Sequence, residues 1–292
     1  MSLKEDANWP RAAAWLKPAD GIAADIAVFG VPANSTSISP TGADKTPAAI
    51  REALLRYSLQ SSTGDLGTLV ARDFGDIADP DSNEGATSEL AARLTAESKL
   101  TVALGGDNSI TFAVAKHLRG GLITFDAHHD IREGVSNGSP VRRLIDEAGF
   151  DPKRIVQIGI NDFSNSPQYA KLAKDLGILV ITRDQLRRQT PQATWQQAID
   201  FLGDVESIHV DVDVDVCDRS VVPACPAAAP GGISADELRQ FALLAGKTNT
   251  VTSLDITEID STADSDDQRT VRLAALLILE AATGLALRDV KK

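Results

Sequence analysis

Cysteine is scarce in this chain, with only Cys217 and Cys225 among 292 residues. Two cysteines are too few for a disulfide framework in a domain of this size, which argues against a disulfide-stapled secreted protein. The first fifteen residues are charged and mixed, and they contain no apolar run of signal-peptide length. We therefore expect a cytoplasmic protein whose two cysteines are buried and unreactive. A reversible disulfide or a thiolate ligand is the alternative role for them.

Positive charge and long apolar runs are also in short supply. The chain has 29 Lys and Arg residues against 41 Asp and Glu residues, which gives a formal net charge of −12. An acidic surface repels nucleic-acid phosphates and anionic lipid headgroups, so nucleic-acid and membrane-surface partners are disfavoured. No run of about 18 apolar residues occurs, so we expect no membrane-spanning helix. The expected partner is a small molecule.

Short β-branched runs alternate with longer Ala- and Leu-rich segments throughout the chain. The predicted strands are 25–30, 100–104, 122–125, 155–160, 178–181, 207–216 and 251–256. The predicted helices are 47–57, 87–97, 109–118, 140–148, 194–202, 235–245 and 270–287. This alternation indicates βαβ units, so we predict an α/β fold with three αβα layers and a mostly parallel central sheet. No linker or repeat divides the chain, which predicts one domain over 1–292, with about 1–20 as a loose N-terminal segment.

Polar clusters follow three of the predicted strands, where parallel α/β sheets bind their ligands. The first is Gly105-Gly106-Asp107-Asn108-Ser109, which a tight turn and a helix cap also explain. The second is Asp126-Ala127-His128-His129-Asp130, in which alternate side chains point one way in an extended chain. A solvated polar loop is its alternative reading.

The third cluster is the strictly alternating segment from His209 to Val216. Valines occupy one face, and His209, Asp211, Asp213 and Asp215 occupy the other. Aspartate is depleted in strands, and carboxylates about 4 Å apart repel by a few kcal/mol near a protein surface. Water or a cation must therefore offset the repulsion between the carboxylates on this face.

Four aspartates in the second and third clusters, Asp126, Asp130, Asp213 and Asp215, carry four negative charges that two divalent cations would cancel. Carboxylate oxygens with a few nitrogens favour Mn²⁺ or Mg²⁺, and a histidine ligand favours manganese. Two such ions can lower the pKa of a shared water towards neutrality. This chemistry supports hydroxide attack on a planar, polarised carbon.

The three clusters resemble the motifs of the ureohydrolase family, which contains arginase, agmatinase and formimidoylglutamase. The first is similar to the family's Gly-Gly-Asp-His-Ser, and the second to its Asp-Ala-His-x-Asp. The third motif begins at Asp213, because its spacing to Pro230-Gly231-Gly232 selects Asp213 and Asp215 as the ligand pair. Asp211 then stands where the family usually has serine.

The resemblance implies a site with two manganese ions per chain and an arginase-like fold. Asp126 and Asp213 would bridge the ions, His128 and Asp215 would complete one coordination sphere, and Asp130 would serve the other. The remaining ligand is usually histidine, but it is Asn108 here. An amide oxygen is a poorer donor than imidazole, so we expect the nearby ion to be weakly held or absent. The family also implies a homo-oligomer, a trimer or a hexamer.

Within the family, three segments resemble formimidoylglutamase, an enzyme of histidine degradation. They are Asp126–Arg132, Ser136–Pro140 and the pair Gln157–Ile160 with Phe163–Ser166. The resemblance implies that metal-bound hydroxide cleaves N-formimidoyl-L-glutamate to L-glutamate and formamide. Glu258 would orient the amidine nitrogens, Arg132 and Asn137 would bind the carboxylates, and His129 or a bound water would carry the proton.

Other readings stay open at this point. Arg132 is equally explained as a surface residue paired with Glu133 or an aspartate. The protein could be an agmatinase or a guanidino-acid hydrolase that releases urea. It could also be a metal-poor, non-catalytic subunit used for binding or assembly, a reading that Asn108 motivates.

Overall fold

The protein is described by a computed structural model that covers residues 6–288. The strands are β1 Lys17–Pro18, β2 Ile26–Val31, β3 Gln60–Ser61, β4 Gly64–Asp65, β5 Ala71–Asp76, β6 Leu100–Gly105, β7 Gly121–Phe125, β8 Ile155–Ile160, β9 Leu179–Thr182, β10 Ile208–Asp213 and β11 Val251–Thr257. The helices are α1 Thr46–Ala53, α2 Glu84–Glu97, α3 Ile110–Ala115, α4 Pro140–Asp146, α5 Pro167–Leu176, α6 Arg183–Leu186, α7 Pro191–Leu202, α8 Ala235–Lys247 and α9 Arg269–Ala286.

Nine strands form one sheet in the order β1-β5-β2-β6-β11-β10-β7-β8-β9, and every pairing in it is parallel. Strands β3 and β4 form a separate antiparallel hairpin. Side chains of α1, α7, α8 and α9 pack on one face of the sheet, and those of α2, α3, α4 and α5 pack on the other. The predicted three-layer αβα fold is confirmed.

The second face of the sheet has a polar strip through its middle. Two apolar clusters cover its flanks, one around Phe29 and Leu94 and the other around Phe112 and Leu144. Between them, adjacent positions of β7, β10 and β11 carry buried polar side chains instead. In register they are His209 and Ser253, then Thr124, Asp211 and Asp255, with Asp213 beside Thr257 above them. The strip leads to the carboxyl ends of these strands.

The predicted strand 207–216 is too long at its C-terminal end. Strand β10 stops at Asp213, and Val214–Val216 form a 3₁₀ turn. The Asp213 carboxylate accepts a hydrogen bond of 2.8 Å from the Asp215 backbone N–H, which curls the chain as short polar side chains commonly do. The turn brings two carboxylates to the same end of the sheet.

Six elements were not predicted: the short elements β1, β3, β4 and α6, which span two to four residues, and the longer elements β5 and α5. Strand β5 has the sequence Ala-Arg-Asp-Phe-Gly-Asp, which lacks a β-branched run. Helix α5 is a mostly exposed helix with Pro167 at its start and Ser166 as its cap. Its polar surface hid the apolar periodicity on which the helix predictions depended.

The N-terminal segment is tied to the sheet within the described residues. The Trp15 indole donates a hydrogen bond of 2.9 Å to the Leu69 carbonyl, and Ala12 is fully buried. Strand β1 pairs with β5. Residues 12–18 therefore differ from the loose segment expected for 1–20, while residues 1–5 lie outside the described part. No helix between residues 6 and 288 is both long and apolar enough to cross a membrane.

Candidate active site

Four adjacent strands deliver the predicted site residues to one edge of the sheet. Strands β6, β11, β10 and β7 are neighbours, and all run parallel. Asp126 follows β7 directly, Asp213 ends β10 and Glu258 follows β11 directly. Asn108 comes three residues after β6. Because the carboxyl ends of parallel strands meet at one edge, these side chains converge there.

The side chains form two groups with metal-ligand spacing. Asp126, His128 and Asp215 make one group, in which the ligand atoms lie within 4.8 Å of one another. Asp126, Asp130 and Asp213 make the second group, at the same spacing. The two groups share Asp126, so its carboxylate lies between two positions that suit a cation. The structure thus brings together five of the six predicted ligands.

The carboxylates of this centre are buried side by side. Burial, reinforced by the charges of Asp130 and Asp215, holds the pKa of Asp126 well above its usual range. Burial and the charges of Asp215 and Asp126 do the same to the pKa of Asp213. Burial also raises the pKa of Asp130 to about 6. Repulsion of this kind is relieved by divalent cations, so the donor set fits a pair of hard metal ions.

His128 lies between two of the carboxylates. Its Nδ1 is 2.7 Å from Asp215 Oδ2 and 3.4 Å from Asp126 Oδ1. Burial opposes the charged form, but the Asp215 charge and hydrogen bond outweigh it and raise the pKa of His128 to about 9. A metal ligand must be neutral imidazole, so ion binding at this position displaces that proton.

Backbone hydrogen bonds fix the ligand loops. The Asp126 carboxylate accepts from the His128 N–H at 2.6 Å, and the Asp215 carboxylate accepts from the Ala127 N–H at 2.8 Å. Asp130 adopts a left-handed conformation with φ 51°. Non-glycine residues rarely adopt this conformation, so the loop is held by its surroundings and is pre-organised around the site.

Asn108 lies beside the second group, where the sequence places a ligand. Its Nδ2 donates to Asp130 Oδ2 at 2.7 Å, and its Oδ1 accepts from the hydroxyls of Thr257 at 2.7 Å and Thr111 at 3.0 Å. Hydroxyls can also accept, so a half-turn of the amide keeps both threonine contacts and aims Oδ1 at the carboxylates. The position therefore fits a neutral oxygen ligand.

Glu258 closes the other side of the site. It has a left-handed backbone with φ 63°, and its Oε1 accepts from the Asn108 N–H at 2.7 Å and from Asn137 Nδ2 at 2.8 Å. Burial raises the pKa of Glu258 to about 8. The Asn137 Oδ1 in turn accepts from the Ile38 N–H at 3.0 Å. The Asn137 amide is thus engaged at both ends, and it holds Glu258 in place.

A pocket of about 350 Å³ opens at the site, and His128, Asp130, Asp213, Asp215 and Glu258 are among the residues that line it. Arg132 lies exposed on its wall, and its aliphatic part lies against Gly138. Among residues 6–288 the Arg132 guanidinium has no ion-pair or hydrogen-bond partner, so the expected alternative pairing with Glu133 does not form there. Further lining residues that sequence reasoning did not assign to the site include Ile38, Ser39, Ser164, Asn165 and Tyr169. The only sequence signal for any of these residues is the resemblance of the segment 163–166 to a family motif.

Other polar residues of interest lie outside the ligand set. His209 bonds to Ser253 at 2.8 Å and to Asp255 at 3.1 Å, below the site in the polar strip. Burial and the charge of Asp255 hold the pKa of Asp211 well above its usual range. Cys217 and Cys225 are buried and not joined in a disulfide, as predicted. Burial raises the pKa of both thiols, which disfavours the reactive thiolate.

Comparison with known proteins gives a consistent picture. The chain is 35% identical over 286 residues to the formimidoylglutamase of Bacillus subtilis (strain 168), which covers 91% of this chain and 88% of that protein. The crystal structure of formimidoylglutamase from Bacillus subtilis subsp. subtilis str. 168 superposes with a TM-score of 0.92 and 32% identity, over 99% of this chain and 95% of that one.

A crystal structure of Trypanosoma cruzi formiminoglutamase with Mn²⁺ superposes with a TM-score of 0.87 and 25% identity, over 96% of this chain and all of that one. The model of the arginase family matches residues 24–284, which contain every residue of the site. The resemblance predicted from three strand-end motifs is thereby confirmed, and the protein belongs to the arginase family.

Proposed function

We propose that the protein is a manganese-dependent formimidoylglutamase, which hydrolyses N-formimidoyl-L-glutamate to L-glutamate and formamide. The observation that carries this proposal is the pair of ligand groups that share Asp126, whose other members, His128, Asp130, Asp213 and Asp215, line the 350 Å³ pocket. The formimidoylglutamase relatives and the manganese named in a solved structure support the choice of substrate and metal. A role in histidine degradation and a cytoplasmic location are predictions that follow from this reading.

The residues that would hold the two ions are Asp126, His128, Asp130, Asp213, Asp215 and Asn108. When bound, the ion pair supplies a water that is activated for attack on the formimino carbon. The buried carboxylates fix where the ions sit, and their hydrogen-bonded loops keep that geometry without reorganisation.

Glu258 would orient the amidine end of the substrate. Its Oε1 already accepts two hydrogen bonds, so Oε2 is the oxygen left for a substrate N–H group. An ionised Glu258 beside a cationic amidine is stabilised by the charge it contacts, which offsets the cost of its burial. Asn137 then acts on the substrate through Glu258, by holding the carboxylate in place.

Arg132 would bind a carboxylate of the substrate. Its guanidinium is unpaired among the described residues, lines the pocket and can form a bidentate contact. Agmatine has no carboxylate and carries two positive charges, so the same arginine would repel it. This difference favours the dicarboxylate substrate over a dicationic one.

The test is turnover by the manganese-loaded protein of N-formimidoyl-L-glutamate, agmatine and guanidino acids, with formamide and urea measured separately. We expect formamide and L-glutamate from the first substrate and little urea from the others. Urea release from a guanidine substrate alone would contradict the proposal. No turnover together with less than one manganese per chain would favour a non-catalytic, metal-poor subunit.

A further inference from the structure

Gln157 contacts the site in a way that the proposed function does not yet use. It lies on β8, is fully buried and bonds His129 at both ends of its amide. Gln157 Oε1 is 2.6 Å from His129 Nδ1, and Gln157 Nε2 donates to the His129 carbonyl at 2.7 Å. The side chain therefore clamps the ring and the backbone of one residue.

These two contacts determine which ring nitrogen of His129 carries the proton. A backbone carbonyl only accepts hydrogen bonds, so the amino end of the Gln157 amide must face the His129 carbonyl. The amide oxygen then faces Nδ1, and since it too only accepts, Nδ1 must be the donor. If the Gln157 amide were flipped, its oxygen would face the His129 carbonyl oxygen, and two acceptors would repel each other. The hydrogen-bond pattern thus selects the Nδ1–H form, which leaves Nε2 as an acceptor.

The rest of His129 is fixed as well. Asn165 Oδ1 accepts from the His129 N–H at 3.0 Å, and Asn165 Nδ2 donates to the Ala127 carbonyl at 2.9 Å. Three polar groups of His129 are therefore bonded, and Nε2 is the one without a partner among residues 6–288. His129 is one of the residues that line the 350 Å³ pocket, as are His128 and Glu258.

The chemistry of the substrate indicates what Nε2 contacts. N-Formimidoyl-L-glutamate has N–H donors only at its amidine end, and its two carboxylates are acceptors. An Nε2–H tautomer would suit the carboxylates, whereas an Nε2 lone pair suits the amidine. We propose that Gln157 is a positioning residue that holds His129 in the Nδ1–H tautomer, so that Nε2 accepts a hydrogen bond from the amidine end of the substrate. This inference rests on the proposed function for its substrate, but not for its geometry.

The tautomer can be measured without any activity assay. The 292-residue chain has four histidines, so ¹⁵N labelling of histidine gives a simple spectrum. Mg²⁺ replaces paramagnetic Mn²⁺ as the added ion. The His129 signal is assigned as the one that disappears in His129→Asn. We expect this signal to show a protonated Nδ1 in the wild type and to lose that signature in Gln157→Met. Gln157→Glu, which keeps an acceptor at Nδ1, should retain it.

Thr124→Val is the matched control, because Thr124 is the buried β7 neighbour of Gln157 in register and its hydroxyl makes no hydrogen bond to His129 or to any other described residue. Its His129 signal should stay as in the wild type. An Nε2–H signal in the wild type, or an unchanged Nδ1–H signal in Gln157→Met, would overturn the proposal even if the protein turns over the substrate.

Kinetics of the manganese-loaded protein test the second half of the inference. Loss of one hydrogen bond to a charged group should lower kcat/KM for N-formimidoyl-L-glutamate about tenfold in His129→Asn and in Gln157→Met. The double variant should be no slower than His129→Asn alone, since both changes remove one interaction. A roughly hundredfold loss in the double variant, or a His129→Asn variant as active as the wild type, would overturn it. An inactive wild type would refute the proposed function, while the spectrum would still decide the role of Gln157.

Discussion

Asn108 is the residue that most distinguishes this metal centre. Its backbone N–H bonds Glu258, and its amide contacts Asp130 and the hydroxyls of Thr111 and Thr257. The same loop therefore links Glu258, proposed to orient the substrate, to Asp130, a proposed metal ligand. Position 108 could be predicted from the motif spacing, because the loop follows a buried strand. Its hydrogen bonds could not, because they come from helix α3 and strand β11.

Replacing Asn108 tests its assignment as a ligand. Asn108→His should tighten the weaker of the two manganese ions by about tenfold, since imidazole is a better donor than an amide oxygen. The near-isosteric control Asn108→Leu removes the donor and should retain about one ion per chain. Manganese titration followed by elemental analysis measures both. Equal manganese content in all three proteins would count against the assignment.

Replacing Arg132 tests the proposed substrate. Arg132→Met keeps the aliphatic part against Gly138 and removes the charge, so KM for N-formimidoyl-L-glutamate should rise about tenfold or more with a smaller change in kcat. Arg188→Met is the control, because Arg188 pairs with Asp184 at the surface and does not line the pocket. Steady-state kinetics check the result. An unchanged KM in Arg132→Met would exclude a substrate contact.

Residues that act through other residues were the hardest to predict at this scale. Asn137 was expected to bind a substrate carboxylate, but its amide is engaged by Glu258 and by the backbone of Ile38. The sequence marks Gln157 only as part of a family motif, although its side chain bonds both the ring and the carbonyl of His129. Their roles depend on contacts between segments far apart in the sequence, which periodicity and local spacing do not encode.

The ligand-bearing loops belong to the elements that end at the sheet edge, and close backbone packing holds them there. Gly106, which follows β6, lies so near Ala33 that an added Cβ would meet the Ala33 carbonyl oxygen at 2.1 Å. The Gly106 carbonyl also accepts from the Glu258 N–H at 3.0 Å. Glycine is required at this position because two backbones meet.

Gly106→Ala should therefore displace the loop that carries Asn108. We expect it to destabilise the protein by about 1–3 kcal/mol and to weaken manganese binding. Gly85→Ala is the control, because a Cβ there meets only the Asn83 side chain, at 3.8 Å, and alanine favours helix α2. Thermal unfolding and metal titration measure both effects. Wild-type stability and metal binding in Gly106→Ala would contradict this account of the loop.

Strands could be predicted from the sequence where burial requires a run of apolar, β-branched residues. The β-branched runs of β2, β6, β7, β8, β10 and β11 are fully or almost fully buried, and their positions were predicted within a few residues. Strand β5 lies next to the edge of the sheet, and its second half is partly exposed, so its sequence carries no such run. The end of β10 is set by a hydrogen bond that the Asp213 carboxylate accepts from the Asp215 N–H, which alternation does not reveal.

At the scale of the whole molecule, the buried acidic centre links stability to pH and to metal. The folded state raises the pKa of Asp130 to about 6, of Glu258 to about 8 and of His128 to about 9. Each raised pKa means that the folded protein binds a proton more tightly than the unfolded chain. The stability that each group contributes is present below its unfolded pKa and is lost as pH rises through its folded pKa.

We therefore expect the metal-free protein to lose stability as pH rises from about 6.5 to 9. His117 and His129 have lowered pKa values through burial, so their opposite contributions are complete by about pH 6.5. Manganese binds the deprotonated ligands, so its stabilising effect should grow over the same interval. Thermal unfolding across this range, with and without Mn²⁺, measures the effect. A metal-free protein that gains stability towards pH 9 would contradict it.

The assembly of the whole molecule stays a prediction. The family resemblance implies a trimer or a hexamer, and the structure describes one chain. Sedimentation of the manganese-loaded protein would give the number of chains directly.

The central claim is that side chains from the ends of β6, β7 and β10 hold two metal ions, in two ligand groups that share Asp126. Diffraction from manganese-soaked crystals, collected at the manganese absorption edge, measures this most directly. We predict two anomalous peaks, one among Asp126, His128 and Asp215 and the other among Asp126, Asp130 and Asp213, with the peak nearer Asn108 the weaker. No peak at these ligands, or manganese bound elsewhere on the chain, would contradict the claim.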